Sequence, residues 1–265
     1  MKTYFLHFVL LAAGIAGVSI FPGPIPQSIF AAFIGGGIVF FLNELIQRPV
    51  FLRSAIWALL HPRKEVRISI AALLQIKVGD QYVLVYGGRR QQYQPVGGAL
   101  QSLPDCRLPF PTLADPAGLR KDNDLRFGIG AVTLPKLVKW VNSEKDRELS
   151  PWREFWEEMI EPKILPNDIF PFISTRFVRR LIPMPTISRE HNGVFQLRVF
   201  EIFSVSLSSE QVRSLQDAID KEDSSDPARI RLVDAESIKR GWFAAGKDPD
   251  KRIPIGDHSV HILEG

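Results

Sequence analysis

Two long apolar runs open the chain, and they constrain its fold more than any other feature. Tyr4 to Phe21 contains no charged side chain and is just long enough to cross the hydrocarbon core of a bilayer as a helix. Ser28 to Ile46 is a second apolar run, whose one charged residue lies near its end, where it can reach the interface. The segment between the runs is rich in proline and glycine and cannot continue a helix. The sequence therefore predicts a two-helix transmembrane hairpin over residues 1–48.

Positive charge is distributed unevenly around this predicted hairpin. Few basic residues precede or separate the two runs. Several follow the second run closely, namely Arg48, Arg53, Arg63, Lys64 and Arg67. The positive-inside rule therefore predicts that the N-terminus and the rest of the chain face the cytosol. Alternatively, Met1 to about Ser19 is a cleaved signal peptide; the second run would keep the same flanking charges, so the main domain would still face the cytosol.

The rest of the chain has the pattern of one α+β domain with a short connection to the hairpin. Val50 to Leu60 predicts an amphipathic juxtamembrane helix, and proline after His61 disfavours its continuation, so residues 49–65 form a helix and linker. From Val66 the pattern changes to short β-rich runs that alternate with turns and helical segments. We therefore expect residues 66–265 to form a cytosolic α+β domain.

Composition excludes several classes of protein. Hydrophobic residues make up 45% of the chain and charged residues 23%, which disfavours disorder. Cys106 is the single cysteine, which excludes an intramolecular disulfide and a metal site built from cysteines. The net charge of +4 is modest, and much of the excess lies beside the second apolar run. This distribution indicates a lipid bilayer, and no nucleic-acid polymer, as the partner.

One segment places three carboxylates where they would share a helix face. Ser150 and Pro151 are typical of a helix start, and the predicted helix continues to about Glu161. Three glutamates occupy its positions i, i+3 and i+4, namely Glu154, Glu157 and Glu158. Like charges so placed repel, and a hard divalent cation such as Mg²⁺ would reverse that penalty. A solvated acidic helix face explains the same spacing, so the pattern alone leaves both interpretations open.

The order of these segments resembles the Nudix family. A strand hairpin and a basic loop lead to the turn Tyr93–Gly98 (YQPVGG), the helix segment Arg153–Glu158 (REFWEE) follows, and the tail Ile253–Leu263 closes the chain. The resemblance covers about Val66 to Leu263. It implies a Nudix-like α/β/α sandwich with a large insertion over about residues 99–150, which separates the double glycine from the helix.

The same resemblance implies roles for individual residues. Glu154, Glu157 and Glu158 would hold Mg²⁺ against a diphosphate and would be catalytic if the domain is an active hydrolase. Arg153 would brace the helix. The backbone at Gly97 and Gly98 would approach the phosphates.

Two departures from the family pattern bear on activity. Lys145 stands where another glutamate is expected, flanked by Glu144 and Glu148, and Ile160 stands where a glycine is expected. Whether hydrolysis is retained is therefore open.

The whole layout resembles a narrower group, the two-transmembrane SMODS-associated Nudix effectors of CBASS anti-phage systems. That resemblance implies a protein of the bacterial inner membrane whose Nudix-like domain senses a cyclic nucleotide second messenger. It also implies homo-oligomerisation on activation and disruption of the membrane by the hairpin. The alternatives are a membrane-tethered, Mg²⁺-dependent Nudix hydrolase of a nucleoside diphosphate derivative, and a tethered interaction domain without a small-molecule ligand.

A cyclic nucleotide requires cations for its phosphates and flat surfaces for its bases. Arg89 and Arg90, in the loop before the glycine turn, and Arg126, in the insertion, are the candidate ligand-binding cations. Weaker candidates lie near a later strand, namely Arg176, Arg179 and Arg180. Trp140 and Trp242 are predicted to pack in the core rather than stack on bases. His258 and His261, in an alternating tail segment, are not expected to bind a metal.

Overall fold

The computed structural model describes residues 34–36, 38–39, 49–104, 106–115, 123–188, 193–222, 227–245 and 248–263. The predicted spans Tyr4 to Phe21 and Ser28 to Ile46 lie outside these residues, apart from two short helical pieces at 34–36 and 38–39. Among the residues described, no helix combines the length and the apolar character that a membrane crossing needs. The hairpin over residues 1–48 therefore stays a prediction.

The rest of the described chain has a mixed α+β fold. The α-helices are α1 (Pro49–Leu60), α2 (Leu134–Ser143), α3 (Trp152–Phe155), α4 (Ser209–Glu222) and α5 (Ala235–Arg240), and 3₁₀ helices span Ala131–Thr133 and Asp257–Ile262. The strands are β1 (Glu65–Gln75), β2 (Lys77–Val78), β3 (Gln81–Gly87), β4 (Gln92–Pro95), β5 (Arg126–Gly130), β6 (Ser174–Leu181), β7 (Thr186–Ile187), β8 (Phe195–Ser206), β9 (Ile230–Asp234), β10 (Trp242–Ala245) and β11 (Asp248–Pro254).

Two sheets organise these strands. The first has the order β5-β1-β8-β6, with β7 also paired to β8, and its centre is the parallel pair β1 and β8. The second has the order β2-β3-β4, with β9 also paired to β3. Strands β10 and β11 form a separate hairpin that the sequence did not predict.

Strand β1 has one face in the hydrophobic core and the other face in a cleft. Its residues Ile68, Ile70 and Leu74 are completely buried in the main hydrophobic cluster. The alternate residues, Arg67, Ser69, Ala71 and Leu73, line a cleft on the opposite face. One strand therefore contributes both to the core and to the floor of the candidate site.

Helix α1 begins and ends within one residue of the predicted helix and packs against the domain. Its Trp57 ring stacks on His61 at a centroid distance of 4.3 Å and meets the edge of Phe195 at 5.2 Å. Ser54 and Ala58 are buried, which leaves Leu59 and Leu60 at the helix end 79% and 72% exposed. The helix thus has one face on the domain and one apolar face outside it.

One predicted element has a different form in the structure, and the tail forms a helix that was not predicted. The helix predicted from Ser150 to about Glu161 is α-helical only over α3 and continues as a π-helix over Trp156–Ile160, closed by the Glu161 N–H bond to the Trp156 carbonyl at 2.9 Å. The alternating tail forms no strand: Asp257–Ile262 is a 3₁₀ helix. The tail turns because the Ser259 N–H donates to the Gly256 carbonyl.

Candidate functional site

An open cleft of about 690 Å³ lies above the floor formed by β1 and β8. Its other walls are the loop after β3, the glycine turn at residues 97–99, the helical segment 153–161 and the C-terminal 3₁₀ helix. The site is therefore assembled from parts of the chain that are distant in sequence.

The glycine turn runs beside the second half of β1. Ala72 N–H donates to the Gly98 carbonyl at 2.9 Å, and Leu74 N–H donates to the Val96 carbonyl at the same distance. Gly97 has a φ of +146°, and a Cβ there would lie 2.1 Å from the Ala72 carbonyl oxygen. A Cβ at Gly98 would lie 2.1 Å from Glu154 Oε2. Gly97 requires glycine because a side chain there would meet backbone, whereas a side chain at Gly98 would displace the Glu154 carboxylate.

The glutamates of the helical segment meet this turn. Glu158 Oε2 accepts a hydrogen bond from the Gly97 N–H at 2.9 Å. Glu154 is buried, with its carboxylate against Gly98. π-Helical turns are rare and frequent at functional sites, and here the π-turn includes Glu157 and Glu158.

Arg153 is the centre of an ion-pair network that holds the helix to the turn. Its guanidinium donates to the Ala99 carbonyl at 2.8 Å, to Glu148 at 3.0 Å and to Glu157 at 2.9 Å, and it lies 2.7 Å from Glu154. Burial opposes its charge, but the bond to Glu157 and the charges of Glu154 and Glu148 outweigh burial and raise the pKa of Arg153. Arg153 thus braces the helical segment as the resemblance implies.

Of the two glutamates that flank Lys145, the structure brings only Glu148 to the site. Glu148 accepts from the Gln101 N–H at 3.2 Å and pairs with Arg153. Glu144 lies elsewhere, paired with Arg180. The short sequence distance between Glu148 and the helix could have indicated this contact, but the fold of the insertion that contains Glu148 could not be read from the sequence.

Ionisation of Glu154 and Glu158 is costly when no cation is bound. Burial raises the pKa of Glu154 to about 7, although Arg153 opposes the shift. Burial also raises the pKa of Glu158 to about 8, against the hydrogen bond from Gly97 and with the charges of Glu154 and Glu157 adding to the shift. Carboxylates in this situation favour a nearby cation.

The fit of these residues to Mg²⁺ is partial. Carboxylate oxygens are the ligands that Mg²⁺ prefers, and Glu154 and Glu158 could supply them. Glu157, however, forms an ion pair with Arg153 at 2.9 Å, and its side chain is 42% exposed. In the part of the chain that the structure describes, no three acidic, histidine or cysteine side chains are grouped closely enough to hold a metal.

The predicted ligand-binding arginines divide into two sets. Arg89, Arg90 and Arg126 line the cleft together with Gly97 and Gly98. The weaker candidates are outside its lining and are Arg176, Arg179 and Arg180.

Arg179 and Arg180, which lie outside the cleft lining, make contacts within the fold. Arg179 donates to the His261 and Leu263 carbonyls, at 3.0 and 2.8 Å. Arg180 joins the buried Arg147–Glu201 ion pair through a 2.6 Å bond to Glu201. Both stabilise the fold.

The two candidate tryptophans differ in burial and in their contacts. Trp140 is buried, as predicted, with its ring edge-on to Phe110 at 5.9 Å. Trp242 is only partly buried, and it is covered by the guanidinium groups of Arg240 and Arg252, at 4.4 and 4.6 Å from its ring centroid.

Several cleft residues were missed by sequence reasoning. Arg67, Gln196 and Arg198 lie on the floor, and His258 lies in the wall, where its ring is parallel to Phe200. Burial and the charges of Arg198 and Arg90 lower the pKa of His258 to about 4. The period-2 pattern of β1 and β8 could have placed Arg67 and Arg198 on a polar face, but it could not give the register, which sets Arg67 opposite Gln196 and Arg198 opposite Ser69.

Comparison with protein families identifies the class of domain. Residues 65–263 match the model of the SMODS-associated NUDIX domain. The chain belongs to the SMODS-associated NUDIX domain family. Membership in that family links it to SMODS-type nucleotide signalling.

Two solved structures have a distant likeness to the chain. One is described as a UDP-X diphosphatase, at 8% identity over 97% of this chain and 89% of that chain, with a TM-score of 0.28. Another is a Nudix hydrolase from M. smegmatis, RenU, at 9% identity over 75% of this chain and 79% of that chain, with a TM-score of 0.25. Similarity this low carries no argument about the function of the chain. A search of curated proteins found no significant match.

Proposed function

We propose that this chain is a membrane effector of a CBASS antiviral defence system. Its Nudix-like domain senses a cyclic nucleotide second messenger, and its N-terminal hairpin disrupts the bacterial inner membrane once protomers associate. The observation that carries the proposal is the arginine-lined cleft in a SMODS-associated domain. Its volume of about 690 Å³ is within the range of small-molecule sites.

The lining of the cleft suits a nucleotide. Arg89, Arg90 and Arg126 can donate to phosphate oxygens, and guanidinium groups match phosphate geometry. Gly97 and Gly98 also line the cleft, and their backbone is in contact with the Glu158 and Glu154 carboxylates. The three arginines are the groups that would distinguish an anionic ligand from neutral metabolites.

The membrane part of the proposal is supported by the two apolar runs and by the surface that follows them. The exposed Leu59 and Leu60 lie at the end of α1, and Arg63 and Lys64 follow directly. The Ala131 N–H donates to the Lys64 carbonyl at 2.9 Å, so the neighbouring Val132, 62% exposed, extends the same apolar area. An apolar surface bordered by basic residues is typical of contact with a bilayer.

A second candidate function is a membrane-tethered Mg²⁺-dependent Nudix hydrolase. The observation that favours it is the pair of buried carboxylates at the double glycine, Glu154 and Glu158, with raised pKa values. Mg²⁺ held there, with Glu157 if it is released from Arg153, would neutralise phosphoryl charge and activate a water molecule. Within this chain, Arg153 would keep the helical segment in place against the turn.

One incubation distinguishes the two functions. The full-length protein is mixed with Mg²⁺ and with linear diphosphate derivatives or cyclic oligonucleotides, and the nucleotides are then separated by chromatography. We expect every nucleotide to return intact and one cyclic species to be retained by the protein. A product that disappears in the Glu157→Gln/Glu158→Gln double variant would instead establish the hydrolase.

The membrane step has its own measurement. Cells that express the protein are given the retained nucleotide, and the membrane potential is followed with a voltage-sensitive dye. We expect depolarisation in cells with the full chain and none in cells with a variant that lacks residues 1–48. A potential that stays intact in both would refute the effector proposal.

A further inference from the structure

Three neighbouring strands place a serine between two arginines on the floor of the cleft. Ser69 on β1 is directly opposite Arg126 on β5 and directly opposite Arg198 on β8. Residues opposite each other on neighbouring strands project from the same face of the sheet. All three residues line the cleft, so this face is the one that a ligand meets.

A third arginine completes the group. Arg67 precedes Ser69 by two positions on β1, and therefore projects from the same face. It also lines the cleft. We call Arg67, Arg126 and Arg198 around Ser69 the arginine triangle.

Protein groups orient each guanidinium of the triangle. Arg67 makes a buried bidentate pair with Asp115, with bonds of 2.7 and 3.1 Å. Arg126 pairs with Asp124 at 3.0 Å. Contacts of this kind hold long side chains in one geometry before a ligand arrives, which lowers the entropy lost on binding.

Gln196 connects two members of the triangle. With its amide oxygen turned toward the guanidinium groups, it accepts from Arg67 Nη1 at 2.6 Å and from Arg198 Nε at 3.0 Å, and its amide nitrogen donates to Ser188 Oγ at 3.3 Å. The neutral amide orients Arg67 and Arg198 without adding negative charge to that of Asp115 and Asp124. Ser69, between the arginines, has a short side chain that leaves room above the floor and can donate one hydroxyl hydrogen bond.

The triangle is separate from the glutamates. The glycine turn that meets Glu158 lies beside Ala72, three residues beyond Ser69, which is about 10 Å along an extended strand. The adjacent phosphates of a diphosphate cannot span that distance. Phosphates that are separated by a nucleoside can.

We propose that the arginine triangle binds one phosphodiester group of the ligand, with the Ser69 hydroxyl as an additional donor. The ligand class is then an oligonucleotide whose phosphates are separated by nucleosides, rather than a linear diphosphate. The anion is held by guanidinium groups and needs no metal. The identity of the anion as part of a nucleotide rests on the function proposed above, whereas the anion site itself does not.

The test is equilibrium binding by the full-length protein in EDTA, with cyclic dinucleotides, cyclic trinucleotides and inorganic phosphate as probes. The informative variant is Ser69→Asp, which places a carboxylate among the three guanidinium groups where the phosphate would lie. We expect Ser69→Asp to weaken binding of the retained cyclic nucleotide by at least about 100-fold. Arg198→Gln should weaken it by about 10- to 100-fold, since hydrogen bonds to charged groups are the stronger ones.

Arg176→Gln is the matched control, because Arg176 is an exposed arginine on β6 outside the cleft lining. It should bind every probe as the wild type does. Inorganic phosphate should compete with the nucleotide in the wild type and raise its melting temperature, with neither effect on Ser69→Asp. Thermal unfolding without ligand verifies that each variant folds, and Arg198→Gln decides the result if Ser69→Asp does not fold.

The outcomes separate this inference from the proposed function. A nucleotide that binds the wild type, Ser69→Asp and Arg198→Gln with equal affinity would overturn the arginine triangle while leaving the sensor function standing. Phosphate that stabilises the wild type alone, with no cyclic nucleotide bound, would support the anion site and refute the sensor function. A wild type that binds neither phosphate nor nucleotide at millimolar concentration would overturn both.

Discussion

Glutamine in place of Glu154 is expected to remove a pH-dependent loss of stability from the metal-free protein. Glu154 is 6% exposed, and burial raises its pKa from 4.5 to about 7, against the opposing charge of Arg153. Between these two values the folded protein retains a proton that the unfolded chain has already released. The free energy of unfolding therefore falls as pH rises through this window, and the contribution of Glu154 is constant above it.

The size of this loss follows from the two pKa values. Each tenfold change in proton affinity corresponds to about 1.4 kcal/mol, so a rise from 4.5 to about 7 costs the wild type roughly 3 kcal/mol above neutral pH. That is a large fraction of the stability of an ordinary domain. Glu158, with its pKa raised to about 8, adds a further fall, and because the charge of Glu154 contributes to that shift, the fall is smaller in Glu154→Gln.

The measurement is urea unfolding followed by tryptophan fluorescence, in EDTA, at about pH 5 and about pH 8. The difference in unfolding free energy between the two pH values should be roughly 3 kcal/mol smaller for Glu154→Gln than for the wild type. Glu161→Gln is the control, because Glu161 is an exposed carboxylate at the end of the same helical segment and should leave the wild-type difference unchanged. If Glu154→Gln loses as much stability with rising pH as the wild type, burial does not govern the ionisation of this carboxylate and the reasoning fails.

Three further predictions concern the same region and its supports. Mg²⁺ should raise the melting temperature of the wild type more at about pH 8 than at about pH 6, because protons compete for the carboxylates, and Glu158→Gln should abolish that difference. Glu201→Gln leaves two guanidinium groups without their shared carboxylate and should lower the unfolding free energy by about 3 kcal/mol. Glu144→Gln changes a side chain that is 48% exposed and should lower it by less than about 1 kcal/mol. Chemical denaturation that shows equal losses for the two variants would contradict this. Gly97→Ala should lower the melting temperature and weaken nucleotide binding because its Cβ meets a carbonyl oxygen at 2.1 Å, whereas Gly88→Ala, with open space around it, should change neither.

Local signals predicted most elements that position the site. The β-rich runs that begin at Val66 predicted strands in the regions of β1 and β8, and the serine and proline at 150–151 predicted where a helix begins. The double glycine was expected to let the backbone approach phosphates, which stays a prediction; in the structure Gly97 lies close to the Ala72 carbonyl and Gly98 to the Glu154 carboxylate. These features were predictable because each depends on residues next to one another in the chain.

Local signals failed where neighbouring residues had a competing partner. The glutamate spacing predicted one α-helical face with three carboxylates, but the π-turn and the Arg153 network divide them: Glu157 pairs with Arg153 and Glu158 bonds to Gly97. The alternating pattern of the tail gave no indication of the 3₁₀ helix that carries His258 into the cleft. In both cases contacts with distant backbone outweighed the local period.

The sequence by itself determined the two apolar runs, the basic residues that follow them, and a set of glycines and glutamates in the order of the Nudix family. Only the tertiary structure decided which cations share the cleft. Arg67, Arg126 and Arg198 belong to three strands far apart in the chain, and they converge on Ser69 because the registers of β5 and β8 on β1 place them there. Register is set by packing of the buried face, and a shift of one residue would turn every polar side chain of a strand away from the cleft.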